Sequence, residues 1–231
     1  MVEKALQKLS TIESSESTDR QRLNEIIAQG SLAEVDTRFF ASQLKEIVSS
    51  PEFQKLIEEG KITFAMIKPR LHEAVPQGEE PKTDSEIETQ LLEEIAPPLQ
   101  VLISFSFVMT REFIEEFYGG RPKQSQIEIP PLDSKRYNME HANRWEEFVA
   151  LMTSGATTGI ILFDQNCHAV RAWRTQMGES WNVHTNKEQS PDSLRAKFGV
   201  DNHNNLLHGS DSKKSVQDEI DLVVGLLASD I

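Results

Sequence analysis

The sequence predicts an α/β chain of the α+β type: a ferredoxin-like split βαβ arrangement, a four-stranded antiparallel sheet with helices, carrying an N-terminal helical extension. Three observations predict it. Residues 1–60 show only helical, polar periodicity. After Lys61 the segments read β-α-β-α-α-β-α-β-α. The apolar runs of that second part are short and bounded by Gly, Pro or capping residues. Periodicity alone leaves flavodoxin-like folds open.

In the extension, a first helix is expected from Val2 to about Ile12, broken by Ser14-Ser15-Glu16-Ser17. A second, capped by Ser17 or Thr18, runs through Ile27 and stops at Gly30. A third spans about Leu32 to Val48. Ser50-Pro51 is a cap and first-turn pair for Glu52–Glu59, and Gly60 closes that helix. Ile62–Ile67 is apolar and partly β-branched, the pattern of a central strand, ended by Lys68-Pro69. Residues 75–84 form a polar loop, and Asp84–Ile95 is a helix capped by Thr83 or Asp84. Leu99–Met109 is the second strand, and Thr110 caps a helix carrying Phe113, Ile114, Phe117 and Tyr118.

Residues 119 to about 140 are irregular, with Gly119-Gly120 and Pro130-Pro131. His141–Met152 is helical, Thr158–Phe163 the third strand and His168–Met177 a helix. Ser180–Ser193 reads as a long polar loop. Leu206-Leu207 is the fourth strand and Lys213–Leu227 the last helix.

Composition narrows the function classes. Of 231 residues 38% are hydrophobic, enough for a substantial core. The net charge of −13 disfavours a nucleic-acid or membrane surface, because both are anionic. It leaves room for a nucleotide held by a few focused cations. The lone Cys167 rules out an intrachain disulfide framework and a multi-cysteine zinc site, and is expected to be a small buried or half-buried residue. No apolar run is long enough to span a bilayer, and the N-terminus lacks a signal-peptide core, so a cytoplasmic setting is expected.

The densest chemistry lies in Asn204-Asn205-Leu206-Leu207-His208-Gly209-Ser210-Asp211-Ser212. It reads as a buried strand end turning at Gly209, with one imidazole held beside hydroxyls and a carboxylate. A rigidly held imidazole of that kind suits a nucleophile. Asp211 is expected to cap the last helix.

These residues resemble a family. Thr63-Phe64-Ala65-Met66-Ile67-Lys68-Pro69 is similar to the opening strand of nucleoside diphosphate kinases, and Asn205–Ser212 to their active-site segment. Met152-Thr153-Ser154-Gly155, Arg174 ahead of Met177-Gly178, and Arg195 ahead of Phe198-Gly199 fall in the family's order. The resemblance covers roughly residues 61–228 and implies a division into a 1–60 extension and a 61–231 kinase-like domain.

The resemblance implies that His208 takes the terminal phosphate of a nucleoside triphosphate and passes it to a diphosphate. It places Lys68, Arg195 and Asn205 on phosphates or sugar, and Arg174 on the phosphate chain. Ser180 stands where the family usually has threonine, and Tyr118 near the histidine. Ser210 and Glu219 match the pair that hydrogen-bonds around it. Either Arg144 or Trp145 would stack on the base. Magnesium would ride on the nucleotide phosphates rather than in a protein cage, and a homo-oligomer would be the working form.

The chain also departs from the family. Arg70-Leu71-His72-Glu73 follows Pro69 where an acidic residue and a glycine-containing turn are usual. The stretches between Tyr118 and Trp145 and from Asn182 to Gln189 are longer than usual. The alternative function is therefore a catalytically weak or inactive nucleotide-binding or scaffolding module on the same fold.

Overall fold

The structure is a computed structural model that describes residues 37–69, 83–119, 145–178, 183–200 and 205–229. The helices expected before residue 37, and the site candidates Arg144 and Ser180, lie outside the described residues.

Helix α1 is Thr37–Val48 and α2 is Pro51–Glu59. Ser50 caps α2: its Oγ accepts the Phe53 N–H at 3.2 Å, with proline at the first turn where no N–H is needed. Gly60 ends α2 at φ 80, where a side chain would be strained. Strand β1, Ile62–Ile67, is buried at every position because it is paired on both sides and covered on both faces. That explains its unbroken apolar run.

Helix α3, Asp84–Glu93, opens with a capping box in which Thr83 and Glu86 satisfy each other's backbone N–H. Strand β2, Gln100–Val108, is an edge strand. Thr110 caps α4, Arg111–Ile114, accepting the Phe113 N–H at 3.2 Å. The chain then winds through a π-helical turn, Glu115–Gly119. Helix α5 covers 145–152, and β3 is Ala156–Phe163. Helix α6 is Ala169–Met177, β4 is Leu207–Gly209, and α9 is Lys213–Ser229.

Between α6 and β4 the expected polar loop is corrected. Val183–Gln189, within the expected Ser180–Ser193 loop, forms helix α7; beyond that loop Leu194–Phe198 forms α8. Helix α7 hides from a hydrophobicity pattern because its inward face is built from Val183 and the amide of Asn186, one turn apart. Tertiary burial of a polar side chain there overrides the polar local signal. Cys167 is a second correction: it is exposed, on a left-handed backbone at φ 65 in the turn after β3.

The sheet order is β2-β3-β1-β4, with every neighbouring pair antiparallel. Strands β1 and β2 thus run parallel with β3 inserted between them, the split βαβ arrangement, and the flavodoxin-like alternative is excluded. One face, with Phe64, Met66, Ile103, Phe105 and Ile161, packs under α1, α2, α4, α5 and α9. The other, with Ala65, Ile67, Ile160 and Leu162, packs under α3, α6 and α8.

Gly159 of β3 has a specific task here. A Cβ at that position would lie 2.6 Å from Phe105 Cζ, so the Phe105 ring occupies the space a side chain would need. The substitution Gly159→Ala is expected to cost about 1–3 kcal/mol by overpacking. Chemical denaturation checks it; an unchanged midpoint with an unchanged slope would contradict this reading.

Candidate active site

The site is assembled where β4 comes alongside β1, with His208 opposite Met66. The approach to β4 is a tight turn: the Leu207 N–H donates to the Asn205 carbonyl at 2.8 Å, and Leu206 between them has φ 61. A buried leucine in that region costs on the order of 1–3 kcal/mol, the kind of strain that collects at functional positions.

His208 Nε2 lies 2.9 Å from Glu219 Oε2, on α9. The imidazole is 14% exposed while the Glu219 side chain is fully buried, so the ring forms the rim and the carboxylate its foundation. The same Oε2 accepts the Ser210 hydroxyl at 2.7 Å. An ionised Glu219 only accepts, which puts a proton on Nε2 and the lone pair on Nδ1.

Two rings pack edge-on to the imidazole: Phe117 at 5.2 Å and Tyr118 at 5.9 Å between centroids. Both come from the π-helical turn, which sets consecutive aromatic side chains toward one histidine. Tyr118 meets Phe148 at 4.9 Å, and Phe148 meets Trp145 at 5.8 Å on α5. The aromatic row therefore runs from Trp145 to His208.

The cations come from the end of β1 and from α8. Lys68, at the end of β1, donates from Nζ to Asn205 Oδ1 at 2.7 Å and stands 5.9 Å over the Phe148 ring. Burial, and then the charge of Arg195, pull its pKa down to about 7. Arg195, on α8, donates from Nη1 to the Gly178 carbonyl at 2.9 Å and from Nη2 to the Leu207 carbonyl at 2.8 Å. Burial, and then the charge of Arg174, lower its pKa to about 10, so it stays cationic at neutral pH.

The described candidates His208, Glu219, Ser210, Tyr118, Lys68, Asn205 and Arg195 thus share one neighbourhood, with Arg174 acting on Arg195 by charge and Trp145 joined through Phe148. Arg195 has a task that sequence reasoning did not assign it: two of its nitrogens tie β4 and the end of α6 in place.

Sequence reasoning missed Phe148, Phe117 and Trp173. Phe148 was legible in principle, three residues from Trp145 on a helical face. Gly209 is a correction: it is the last residue of β4 and not a turn, and its missing Cβ leaves room for the Trp173 indole, which would be 2.3 Å away. Asp211 is another. Ser212 caps α9, accepting the Ser215 N–H at 3.1 Å, while Asp211 accepts the Ser215 hydroxyl.

Among the described residues no group of three His, Cys, Asp or Glu side chains could hold a metal ion. The donors facing the site are cationic and suit an anion. A groove of about 690 Å³ lies between α4 and α9, but Glu112, Glu116, Asp218 and Asp221 line it, the wrong sign for phosphates.

The family model for nucleoside diphosphate kinase matches residues 61–226. Nucleoside diphosphate kinase 6 of Rattus norvegicus is 37% identical over 92 residues, covering 39% of this chain and 51% of that protein. The chain spans about half the length of the curated relatives of this kind that it matches. A nucleoside diphosphate kinase of Deinococcus radiodurans is 28% identical over 165 residues, 71% of this chain and 94% of that one. Among solved structures, a nucleoside diphosphate kinase from Aquifex aeolicus is similar with TM-score 0.49 and 23% identity, covering 71% of this chain and 94% of that one.

Lys68 makes the unliganded protein pH-sensitive. Its folded pKa of about 7 lies below the ordinary 10.5, so above pH 7 the unfolded chain binds more protons than the folded one. Folding stability is therefore expected to rise with pH from about 7 toward 9. The slope should flatten in Lys68→Met; urea titrations at several pH values giving the same slope in both proteins would contradict it.

Proposed function

The chain belongs to the nucleoside diphosphate kinase family, and on that footing we propose that it moves the terminal phosphate of a nucleoside triphosphate to a nucleoside diphosphate through a phosphohistidine on His208. The observation that carries the proposal is the 2.9 Å contact between His208 Nε2 and a fully buried Glu219 beside a cationic wall.

The chemistry runs in two balanced halves. The Nδ1 lone pair of His208 forms a bond to the γ-phosphorus while the bond from that phosphorus to the β–γ bridging oxygen breaks. The electron pair stays on the departing diphosphate. A second nucleoside diphosphate then attacks the phosphohistidine with its terminal oxygen, and the nitrogen recovers its lone pair. The imidazole gains positive character as it attacks, and the Glu219 carboxylate on Nε2–H stabilises it. Ser210 fixes that carboxylate.

Transfer of this kind depends on positioning and charge neutralisation more than on covalent help. Lys68, Arg195 and Arg174 supply the positive field, and Asn205 aims the Lys68 ammonium. An arriving phosphate chain favours the charged form of Lys68, so binding near pH 8 takes up a proton. The substrate is the magnesium–nucleotide complex, its cation carried in on the phosphates. Tyr118 borders the nucleophile, Trp145 or Arg144 stacks on the base, and Ser180 adds a hydroxyl. The 61–231 domain carries the site and residues 1–60 are an N-terminal extension; a cytoplasmic homo-oligomer is the working form.

The second reading, a binding or scaffolding module with slow turnover, rests on Arg195, whose guanidinium also serves two backbone carbonyls. Incubation with magnesium and ATP labelled at the γ position is expected to give an acid-labile phosphoprotein, absent in His208→Ala. Glu219→Gln is expected to slow labelling by about a hundredfold. Saturable nucleotide binding with neither label nor exchange in the folded protein would select the second reading.

A further inference from the structure

We propose that Trp173 is a positioning residue that holds His208 in place through its backbone and sets the spacing between the nucleophile and the phosphate-facing cations. The proposal rests on the reading of His208 as the phosphate acceptor.

Strand β4 is three residues long and, among the described residues, sits at the edge of the sheet, paired only with β1. An edge strand this short is a weak support for a group that must be held within a fraction of an ångström. Two side chains reinforce it. Arg195 Nη2 donates to the Leu207 carbonyl at 2.8 Å, and Trp173 Nε1 donates to the His208 carbonyl at 3.1 Å. The second bond falls on the nucleophile's own residue.

Trp173 is well suited to this task. It is 1% exposed, on α6, and buried among the residues of that sheet face. Its indole lies flush against Gly209, the residue after His208: a Cβ there would be 2.3 Å from Cδ1 and 2.4 Å from Nε1. The indole therefore grips the strand twice, by a hydrogen bond at one residue and by contact at the next. Gly209 has no positive φ to explain it, so close packing is its reason.

The residue after Trp173 is Arg174, whose charge acts on Arg195. One indole thus ties the helix that carries a candidate phosphate cation to the strand that carries the nucleophile. Loosening it would leave nucleotide binding nearly intact while spoiling the approach of Nδ1 to phosphorus, an effect on rate and not on affinity.

The test uses the full chain and two changes that remove the N–H donor. Trp173→Phe keeps an aromatic ring. Replacement of Trp173 by the benzothiophene analogue of tryptophan keeps the shape and puts sulfur where the N–H was, should Trp173→Phe fold poorly. The amides of His208 and Gly209 are expected to exchange with deuterium up to about tenfold faster, while those of β1 and β3 stay as they were. Labelling at saturating ATP is expected to slow by about tenfold, with half-saturation within twofold. Unchanged exchange at β4 would overturn the proposal, as would a rate held at the original value, or a loss confined to half-saturation. If the unaltered protein takes no label, the phosphohistidine reading fails on its own, and the exchange experiment still decides whether Trp173 holds the strand.

Discussion

One buried carboxylate oxygen, Oε2 of Glu219, organises this molecule's chemistry. It is fully enclosed, and an isolated ionised carboxylate in such a place would be costly. His208 Nε2 and Ser210 Oγ both meet it, at 2.9 and 2.7 Å. Those contacts offset part of the desolvation and fix the imidazole's orientation. They also join three elements: α9 supplies the acid, β4 the ring, and the segment after β4 the hydroxyl. The fold's last helix thus serves at once as cover for the sheet and as support for the His208 imidazole.

Near that oxygen the site gathers the positive charges of Lys68 and Arg195. Lys68 has an amide and an aromatic face as neighbours, and its ordinary pKa is pulled down by burial and by Arg195. Burying like charges near each other is unfavourable for folding alone. An anion relieves the conflict, and a phosphate chain does so with several oxygens at once. The strained Leu206 belongs to the same balance, since its turn places Asn205 against Lys68.

Much of the fold was legible because strands and caps obey local rules. Ile62–Ile67 is strand at both expected ends, and Ser50, Thr83 and Thr110 cap the helices that follow them. That His208, Ser210, Glu219, Lys68 and Asn205 would lie together was legible through the His208 segment, in which several uncommon choices coincide. What escaped was tertiary. Helix α7 depends on burying an asparagine amide, which no periodicity reveals. Gly209 looked like a turn because glycine usually marks one, yet its role is set by an indole 36 residues earlier in the chain. Trp173 itself reads as ordinary core until its Nε1 is found on the His208 carbonyl.

The central claim is geometric: a triphosphate lies with its outermost phosphorus in front of His208 Nδ1, its charge drawn off by Lys68, Arg174 and Arg195. A crystal structure of the chain with magnesium and a non-hydrolysable triphosphate tests this most directly. The account predicts that phosphorus within roughly 3.5 Å of Nδ1, in line with the bridging oxygen, with Lys68 on the phosphates. A phosphate chain bound away from His208, or one meeting the imidazole from the Glu219 side, would contradict it.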